Sequence, residues 1–233
     1  MSVIDLRLGR YQDVLADIGM VDCIVTDPPY SARTHEAQCS DFAANSKSFF
    51  PLEYVAWDRD DVQMFVEFWQ ARNRGWWVVF SDHALQLSWE SALGGIDLYV
   101  FAPIPQVTMN RSVRLAGDGP ATWTTWITVA RPRHKPYCKW GALQAAYIDD
   151  IGGREAGAVR GAKQHRTMQA IIRDYSRPGD LICDPCAGGG TTLIAAASQG
   201  RKAIGAEMDP VTHAKAMRRI EAGYTPDWIE IVA

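Results

Sequence analysis

The decisive stretch of this chain is VDCIVTDPPY, residues 21–30, in which an apolar run ends in Asp27-Pro28-Pro29-Tyr30. Each X-Pro unit holds the backbone extended and gives up an N–H, so neighbouring carbonyl groups project into a cleft instead of a strand ladder. The Asp27 carboxylate and the Pro28 carbonyl then offer two acceptors beside the aromatic face of Tyr30. These groups suit a planar nucleobase that carries an exocyclic amino group. Taken alone, the tetrapeptide is also compatible with a simple Pro-rich turn.

A second segment, LICDPCAGGGTT at residues 181–192, indicates a strand, a Gly-rich turn and the start of a helix. The glycines allow the backbone to approach a ligand closely, and a helix N-terminus favours acceptors or negative charge. Some twenty residues on, the run Ala203–Glu207 predicts another strand that ends in an acid, the place where nucleotide-type folds bind ribose hydroxyls. The spacing does not match G-x-G-x-x-G and no Walker lysine follows, so a dinucleotide or ATP is disfavoured.

Together these motifs resemble those of the DNA amino-methyltransferases, which transfer a methyl group from S-adenosylmethionine to adenine N6 or cytosine N4. The Asp-Pro-Pro-Tyr motif comes first. His165 to Gln169 is then similar to the family's His-Pro-Thr-Gln-Lys-Pro segment, and Asp184 to Thr192 match Asp-Pro-Phe-Ala-Gly-Ser-Gly-Thr-Thr. In this chain the catalytic half precedes the cofactor half. This is the order of the β group, whose target-recognition segment lies between the halves.

The resemblance implies a set of site residues and S-adenosylmethionine as the cofactor. The catalytic set is Asp27, Pro28, Pro29 and Tyr30. The implied cofactor-binding residues are Asp184, Pro185, Ala187, Gly188, Gly190, Thr191, Thr192, Glu207, His165 and Thr167. Within this set, Glu207 holds the ribose hydroxyls, and His165 and Thr167 reach the methionine carboxylate. The segment from His165 departs from the family pattern, with Arg166 in place of the first proline, which weakens the expectation for that carboxylate contact.

Length and composition fit one domain. The 233 residues, 47% of them hydrophobic, suffice for a full α/β core. The five cysteines are odd in number and scattered, which favours a reducing cytoplasm. Cys183 and Cys186 form a C-x-x-C without a second pair at zinc spacing, so we expect no metal site. No apolar run approaches a membrane span and no signal-peptide pattern opens the chain, so we expect no membrane partner.

Charge is distributed unevenly along the chain. The formal net charge is −3, yet residues 131–166 hold eight basic and three acidic side chains, a balance of +5. Phosphate contacts need local and not global positive charge. We therefore expect double-stranded DNA as the partner, although a solvated loop would have the same composition. The candidate DNA-binding residues are Arg131, Arg133, Lys135, Lys139 and Trp140. The β-group resemblance alone makes a homodimer plausible.

Strands that alternate with amphipathic helices predict an α/β fold. We expect a Rossmann-like S-adenosylmethionine-dependent methyltransferase fold: a mostly parallel seven-stranded sheet with helices on both faces and an antiparallel edge hairpin formed by residues 122–129. A single domain, 1–233, would comprise a catalytic half (1–130), an inserted target-recognition segment (131–164) and a cofactor-binding half (165–233). Asp27 and Asp184 both end strands, and if those strands are neighbours across the switch point the two motifs face one cleft.

These expectations lead to a DNA methyltransferase that flips its target base out of the duplex and stacks it on Tyr30. Adenine N6 is favoured over cytosine N4, because the cytosine enzymes of the family often begin the tetrapeptide with Ser. An RNA or protein-amide methyltransferase is the next alternative, although those relatives more often begin the motif with Asn. A nucleic-acid-binding protein with a catalytically idle fold also stays open, since the His165 segment is altered.

Overall fold

The structure is a computed structural model that describes residues 3–34, 55–109, 123–133, 141–150 and 162–223. Strands and helices alternate through most of these residues. The elements are β1 (Ile4–Leu8), α1 (Tyr11–Val14), β2 (Val21–Thr26), α2 (Arg59–Trp69), β3 (Asn73–Ser81), α3 (Gln86–Gly94), β4 (Leu98–Val100), β5 (Ile104–Met109), β6 (Thr124–Pro132), β7 (Tyr147–Asp150), α4 (His165–Tyr175), β8 (Leu181–Asp184), α5 (Thr191–Ser198), β9 (Lys202–Glu207) and α6 (Pro210–Glu221).

All the described strands join one sheet in the order β1-β9-β8-β2-β3-β6-β5-β7, with β4 also paired to β6. The first five strands of this order are parallel to one another. Strand β6 runs antiparallel to β3, β4 and β5, and β7 runs parallel to β5. This mixed α/β sheet confirms the predicted fold class.

Two details of the predicted sheet need correction. The described residues contribute nine strands and not seven, and β6 lies inside the sheet, so residues 122–129 do not form an edge hairpin. The sequence did not indicate β5 because it contains Pro105, which lacks the N–H that a central strand requires. Pro105 is tolerated because the pairing of β5 with β7 begins only at Gln106. Strand β7 is short and has two acids, a composition that argues against a strand.

Helices pack on both faces of the sheet over two hydrophobic clusters. Helix α2 shows how the sequence specifies this packing. Asp58 accepts hydrogen bonds from the first turn, and Asp61 accepts one from the Asp58 N–H, which completes a capping box. The apolar face of this helix, at the i, i+3, i+4 and i+7 positions, is fully buried: Val62, Phe65, Val66 and Trp69. Each such side chain contributes about 1.5–3 kcal/mol of burial energy. In the described part of the chain, every helix falls short of the length and apolarity that crossing a membrane requires.

The sheet order places the two motif-bearing strands side by side. Strand β2 pairs with β8 through Ile24 and Cys183. From β2 the chain continues to β3 on one side, and from β8 it continues to β9 on the other. The boundary between β2 and β8 is therefore the switch point, where open α/β sheets bind ligands outside the carboxyl ends of their strands. Asp27 and Asp184 both lie at these carboxyl ends.

Candidate functional site

Asp27 stands directly after β2, and 29% of its side chain is exposed. The Tyr30 hydroxyl donates a hydrogen bond to Asp27 Oδ1 at 2.9 Å. The Trp57 N–H donates to the Tyr30 carbonyl at 3.1 Å, which ties the tetrapeptide to the segment before α2. Pro28 is buried and Pro29 is half-buried. The four predicted catalytic residues thus form one short arc at the carboxyl end of β2.

Lys163 is a site residue that the sequence analysis counted only as part of a basic segment. Its ammonium group donates to Asp27 Oδ2 in a very short contact and to the Tyr30 hydroxyl at 3.1 Å. The same nitrogen lies 5.5 Å from the centre of the Tyr30 ring and 4.8 Å from that of Phe80. Only 9% of the lysine side chain is exposed. Its position two residues before His165, a predicted cofactor-binding residue, could have pointed to Lys163 from the sequence.

Asp82 is a second residue that the sequence analysis missed. It follows β3 and accepts hydrogen bonds from the Ser31 N–H at 3.1 Å and from the hydroxyls of Ser31 and Thr34, both at 2.5 Å. Burial raises the pKa of Asp82, but these hydrogen bonds and that of the Leu85 N–H outweigh it and lower the pKa below its ordinary value. Asp82 therefore holds the residues after Tyr30 against β3. Like Asp27 and Asp184 it is an acid at a strand end, so the same rule would have found it.

Asp184 ends β8 and is almost fully buried, with 2% exposure. It accepts hydrogen bonds from the Thr26 hydroxyl at 2.8 Å and from the Cys186 N–H at 3.2 Å. Burial raises the pKa of Asp184 to about 6, against the opposing effect of hydrogen bonds from Thr192 and Thr26. Its oxygens are engaged within the protein. In this structure Asp184 supports the Gly-rich turn and links it to β2.

The Gly-rich turn needs left-handed backbone at Gly188 (φ 50°) and Gly190 (φ 76°), a conformation that glycine adopts without strain. A Cβ at Gly188 would meet no atom within 4 Å, so the turn faces open space there. On its other side Arg219 of α6 donates to the Gly189 carbonyl, and to the Thr191 hydroxyl at 3.2 Å. The turn is thus held by Arg219 and leaves open space beside Gly188. Arg219 lies in none of the sequence motifs.

Glu207 ends β9 as predicted and is half-buried. Burial raises its pKa, while N–H groups of Asp209, at 2.7 Å from Oε1, and Gly188 hydrogen-bond the carboxylate and oppose that shift. A partly exposed acid lies beside the open Gly-rich turn and the start of a helix. The acid can accept hydrogen bonds from ribose hydroxyls, and the N–H groups of the helix start can donate to an amino-acid carboxylate. The residues present therefore fit the expected cofactor.

The remaining predicted cofactor residues are mostly buried. Pro185, Ala187, Thr191 and Thr192 are buried in the turn and in the first turn of α5. His165 begins α4 with 1% exposure, and burial, followed by the charge of Arg219, lowers its pKa to about 4, so the imidazole is neutral at pH 7. The Thr167 hydroxyl donates to Asp149, which also accepts from Gln106 at 2.6 Å. That contact turns Thr167 toward β5 and β7.

The described DNA-binding candidates lie away from this cleft. Ser81, at the carboxyl end of β3, pairs with Trp126 of β6. Arg131 is five residues farther along β6, roughly 16 Å toward the opposite edge of the sheet at about 3.3 Å per residue. There Arg131 and Arg133 lie over the ring of Tyr99, at 5.3 and 5.8 Å. The structure does not bring these two arginines to Asp27. Lys135, Lys139 and Trp140 lie outside the described residues.

Comparison with known proteins points to DNA methylases. Residues 153–218, which contain α4, β8, the Gly-rich turn and β9, match the N6/N4 family model described as DNA methylase. A putative methylase, YubD of Escherichia coli (strain K12), is 34% identical over 56 residues; the alignment covers 24% of this chain and a quarter of that protein's length. The family match confirms the resemblance for this segment, which holds the His165 segment and the Gly-rich turn and not the Asp27–Tyr30 motif.

Solved DNA methyltransferase structures share the fold over nearly the whole chain. The M1.HpyAVI–SAM complex superposes with a TM-score of 0.67 at 19% identity, covering 93% of this chain and 99% of that one. PvuII DNA methyltransferase, described as cytosine-N4-specific, gives 0.69 at 14% identity, with coverages of 98% and 90%. TTHA0409 of Thermus thermophilus, a putative DNA modification methylase complexed with S-adenosyl-L-methionine, gives 0.65 at 21% identity, with coverages of 94% and 93%.

Proposed function

We propose that this chain, a protein of the N6/N4 DNA methylase family, is an S-adenosylmethionine-dependent DNA methyltransferase that methylates the N6 amino group of adenine. One observation carries the proposal: the Asp27 carboxylate and the Tyr30 ring lie at the end of β2, next to the open Gly-rich turn that follows β8. A hydrogen-bond acceptor for an amino group and a turn that fits the cofactor thus lie at the same end of the sheet. The choice of adenine rests on Asp27 as the first residue of the tetrapeptide.

The cofactor, when bound, supplies a methyl group that its sulfonium has already activated. In the transfer a nitrogen–carbon bond forms as the carbon–sulfur bond breaks, a neutral thioether leaves, and the nitrogen loses a proton to solvent. Asp27 and the Pro28 carbonyl accept hydrogen bonds from the amino group and orient its lone pair. Because positive charge develops on that nitrogen, the fixed carboxylate of Asp27 stabilises the transition state electrostatically. Glu207 and the turn at Gly188 would hold the cofactor beside Asp27.

Inside a duplex the amino group is out of reach of Asp27, so the target base must leave the stack. The half-buried ring of Tyr30 offers a face for it. The substrate is double-stranded DNA, with residues 1–130 as the catalytic half, 131–164 as the target-recognition segment and 165–233 as the cofactor half. Two parts of the middle segment belong to the sheet, since Arg131 lies near the end of β6 and Tyr147 is buried in β7. The DNA contacts are therefore expected from the rest of that segment.

The test incubates the purified protein with labelled S-adenosylmethionine and unmethylated duplex DNA, digests the DNA to nucleosides and identifies the labelled one. Asp27→Ala runs beside it, with Asp60→Ala on the exposed face of α2 as a control for a lost surface carboxylate. Label in N6-methyladenine that disappears only in Asp27→Ala supports the proposal. Label in N4-methylcytosine keeps the chemistry and reverses the base. No label on DNA, despite cofactor binding, points to RNA or protein substrates, and no cofactor binding points to an idle fold.

A further inference from the structure

We propose that Lys163 takes the place of the target amino group: its ammonium occupies Oδ2 of Asp27 until a flipped base displaces it. Lys163 is then a specificity-determining residue of the base pocket. This inference rests on the proposed function. It concerns a residue outside the motif segments that carry the family resemblance.

The contacts of Lys163 are those expected of the substrate. Its nitrogen donates to Asp27 Oδ2, and it lies near the faces of the Tyr30 and Phe80 rings. A target amino group needs the same carboxylate and the same aromatic neighbour. Because one nitrogen with N–H donors already fills this position, a base cannot reach Asp27 while Lys163 stays there.

The charge of Lys163 also opposes catalysis. Asp27 is to stabilise positive charge that develops on the attacking nitrogen. An ammonium ion within hydrogen-bond distance of the same carboxylate already uses that negative charge, and its own field repels a second positive centre. The ion pair and the reaction are therefore alternatives at one site, and a productive complex requires Lys163 to leave.

Lys163 can leave without unfolding any described element. It lies two residues before α4 begins, in an irregular stretch, on a flexible four-carbon stem. The two rings next to its nitrogen and the buried stem hold it in place when no base is bound, as cation–π contacts do. When it has moved, the Tyr30 hydroxyl still donates to Asp27 Oδ1 and keeps the carboxylate oriented.

The block lowers the apparent affinity for every base. When a binding-competent state is only a fraction of the population, the apparent dissociation constant rises by the inverse of that fraction. A base with a well-placed amino group regains the contact with Asp27 as it displaces Lys163. A base without one breaks the ion pair and gains no replacement. Lys163 therefore discriminates between flipped bases before the methyl transfer step.

The experiment measures steady-state methylation of unmethylated mixed-sequence duplex DNA at saturating S-adenosylmethionine. It compares the wild type with Lys163→Met, which keeps the stem and removes the charge, and with Lys163→Gln as a second neutral variant. Lys202→Met, an exposed lysine at the opposite end of the sheet, is the matched control. Thermal unfolding with and without S-adenosylmethionine verifies the fold and cofactor binding of each protein.

If the competent state is about a tenth of the population, both neutral variants lower KM for DNA about tenfold, with kcat equal to or above that of the wild type. Lys163→Arg, which restores the charge, returns KM toward the wild-type value, and Lys202→Met changes nothing. A fall in kcat with unchanged KM would assign Lys163 to the chemistry and overturn the proposal, as would an unchanged KM in both neutral variants. Wild-type protein that binds the cofactor but labels no DNA would overturn the proposed function itself, and this inference with it.

Discussion

Asp27 and Asp184 are the same residue type, each followed by proline, at the carboxyl ends of two neighbouring parallel strands. Their surroundings differ in kind. Asp27 has 29% of its side chain exposed and faces the ammonium of Lys163. Asp184 has 2% exposure and is held by neutral hydroxyl and N–H donors. One acid is partly exposed and faces a basic side chain, whereas the other supports the turn from inside the protein.

The difference shows that a motif position does not define a role. A strand-end acid serves a ligand only where the tertiary structure leaves an oxygen available. At β8 the neighbouring strand inserts the Thr26 hydroxyl and the turn folds the Cys186 N–H back, so the carboxyl of Asp184 is engaged. At β2 the two prolines carry the chain away from the sheet, and Asp27 Oδ2 is held by a lysine side chain that can move away. Four experiments test this contrast.

The largest expected effect is on catalysis. Asp27→Asn should lower methyl transfer by about 10²–10³-fold, because a neutral amide cannot stabilise charge on the attacking nitrogen. Binding of S-adenosylmethionine, measured as a shift in Tm, should persist. Asp184→Asn should lose far less activity at saturating cofactor and at a temperature where it is folded. Equal losses of activity in both variants would show that the two acids act alike.

The next effect concerns stability, where we expect the larger loss at Asp184 and the smaller loss at Asp27. Asp184→Ala should lower the free energy of unfolding by about 2–4 kcal/mol, since it leaves buried donors without an acceptor. Asp27→Ala should cost about 1 kcal/mol or less, because the flexible stem of Lys163 can carry its charge to solvent. Urea unfolding at pH 7 measures both values. A greater loss in Asp27→Ala would mean that the Lys163 ion pair is structural.

The third effect is on pH dependence. The pKa of folded Asp184 is about 6, against an ordinary value of 3.8, so the native state binds its proton more tightly than the unfolded chain does. Its contribution to stability is therefore full below about pH 4 and decreases as pH rises to about 6, by up to about 3 kcal/mol. Asp82 has the opposite sign, because its lowered pKa contributes stability above the unfolded value and loses it as pH falls.

Urea unfolding from about pH 3.5 to 7 of the wild type, Asp184→Asn and Asp82→Asn separates the two contributions. Relative to Asp184→Asn, the wild type should lose stability as pH rises through this range. Relative to Asp82→Asn it should gain stability instead. A wild-type profile parallel to that of Asp184→Asn would show that Asp184 titrates normally and is less buried than the structure indicates.

The smallest effect comes from deleting one hydroxyl donor from each acid. Thr26→Val removes the bond to Asp184, and Tyr30→Phe removes the bond to Asp27 while it keeps the ring. We expect Thr26→Val to cost about 1–2 kcal/mol of stability, since a buried acceptor loses a partner, and Tyr30→Phe to cost about 0.5 kcal/mol. The rate should show the reverse order, measured in the same methylation assay. A stability loss in Tyr30→Phe that matches Thr26→Val would remove the contrast.

Much of the fold was readable from local patterns. The capped apolar stripe of α2, the strand ends at Thr26 and Asp184, and the Gly-rich turn all rest on interactions between near neighbours in the chain. Strands β5 and β7 were not readable, because Pro105 and the acids of β7 contradict local strand preference. They exist as strands because β6 provides an extended edge for β5, which in turn pairs with β7. Pairing between distant segments outweighed local propensity.

The chemical groups of this protein can be named from its sequence: an acid with two prolines and a tyrosine, a Gly-rich turn, and a further acid at a strand end. These follow from residue types and short spacings, which tertiary structure does not alter. Which of these groups lie together in one site depends on the fold. Lys163 is separated from Asp27 by 136 positions, and Asp184 from Thr26 by 158. Arg131 lies at the end of the sheet opposite to Asp27 because β6 runs antiparallel to β3. Contacts across such separations depend on strand order and direction, which no local pattern specifies.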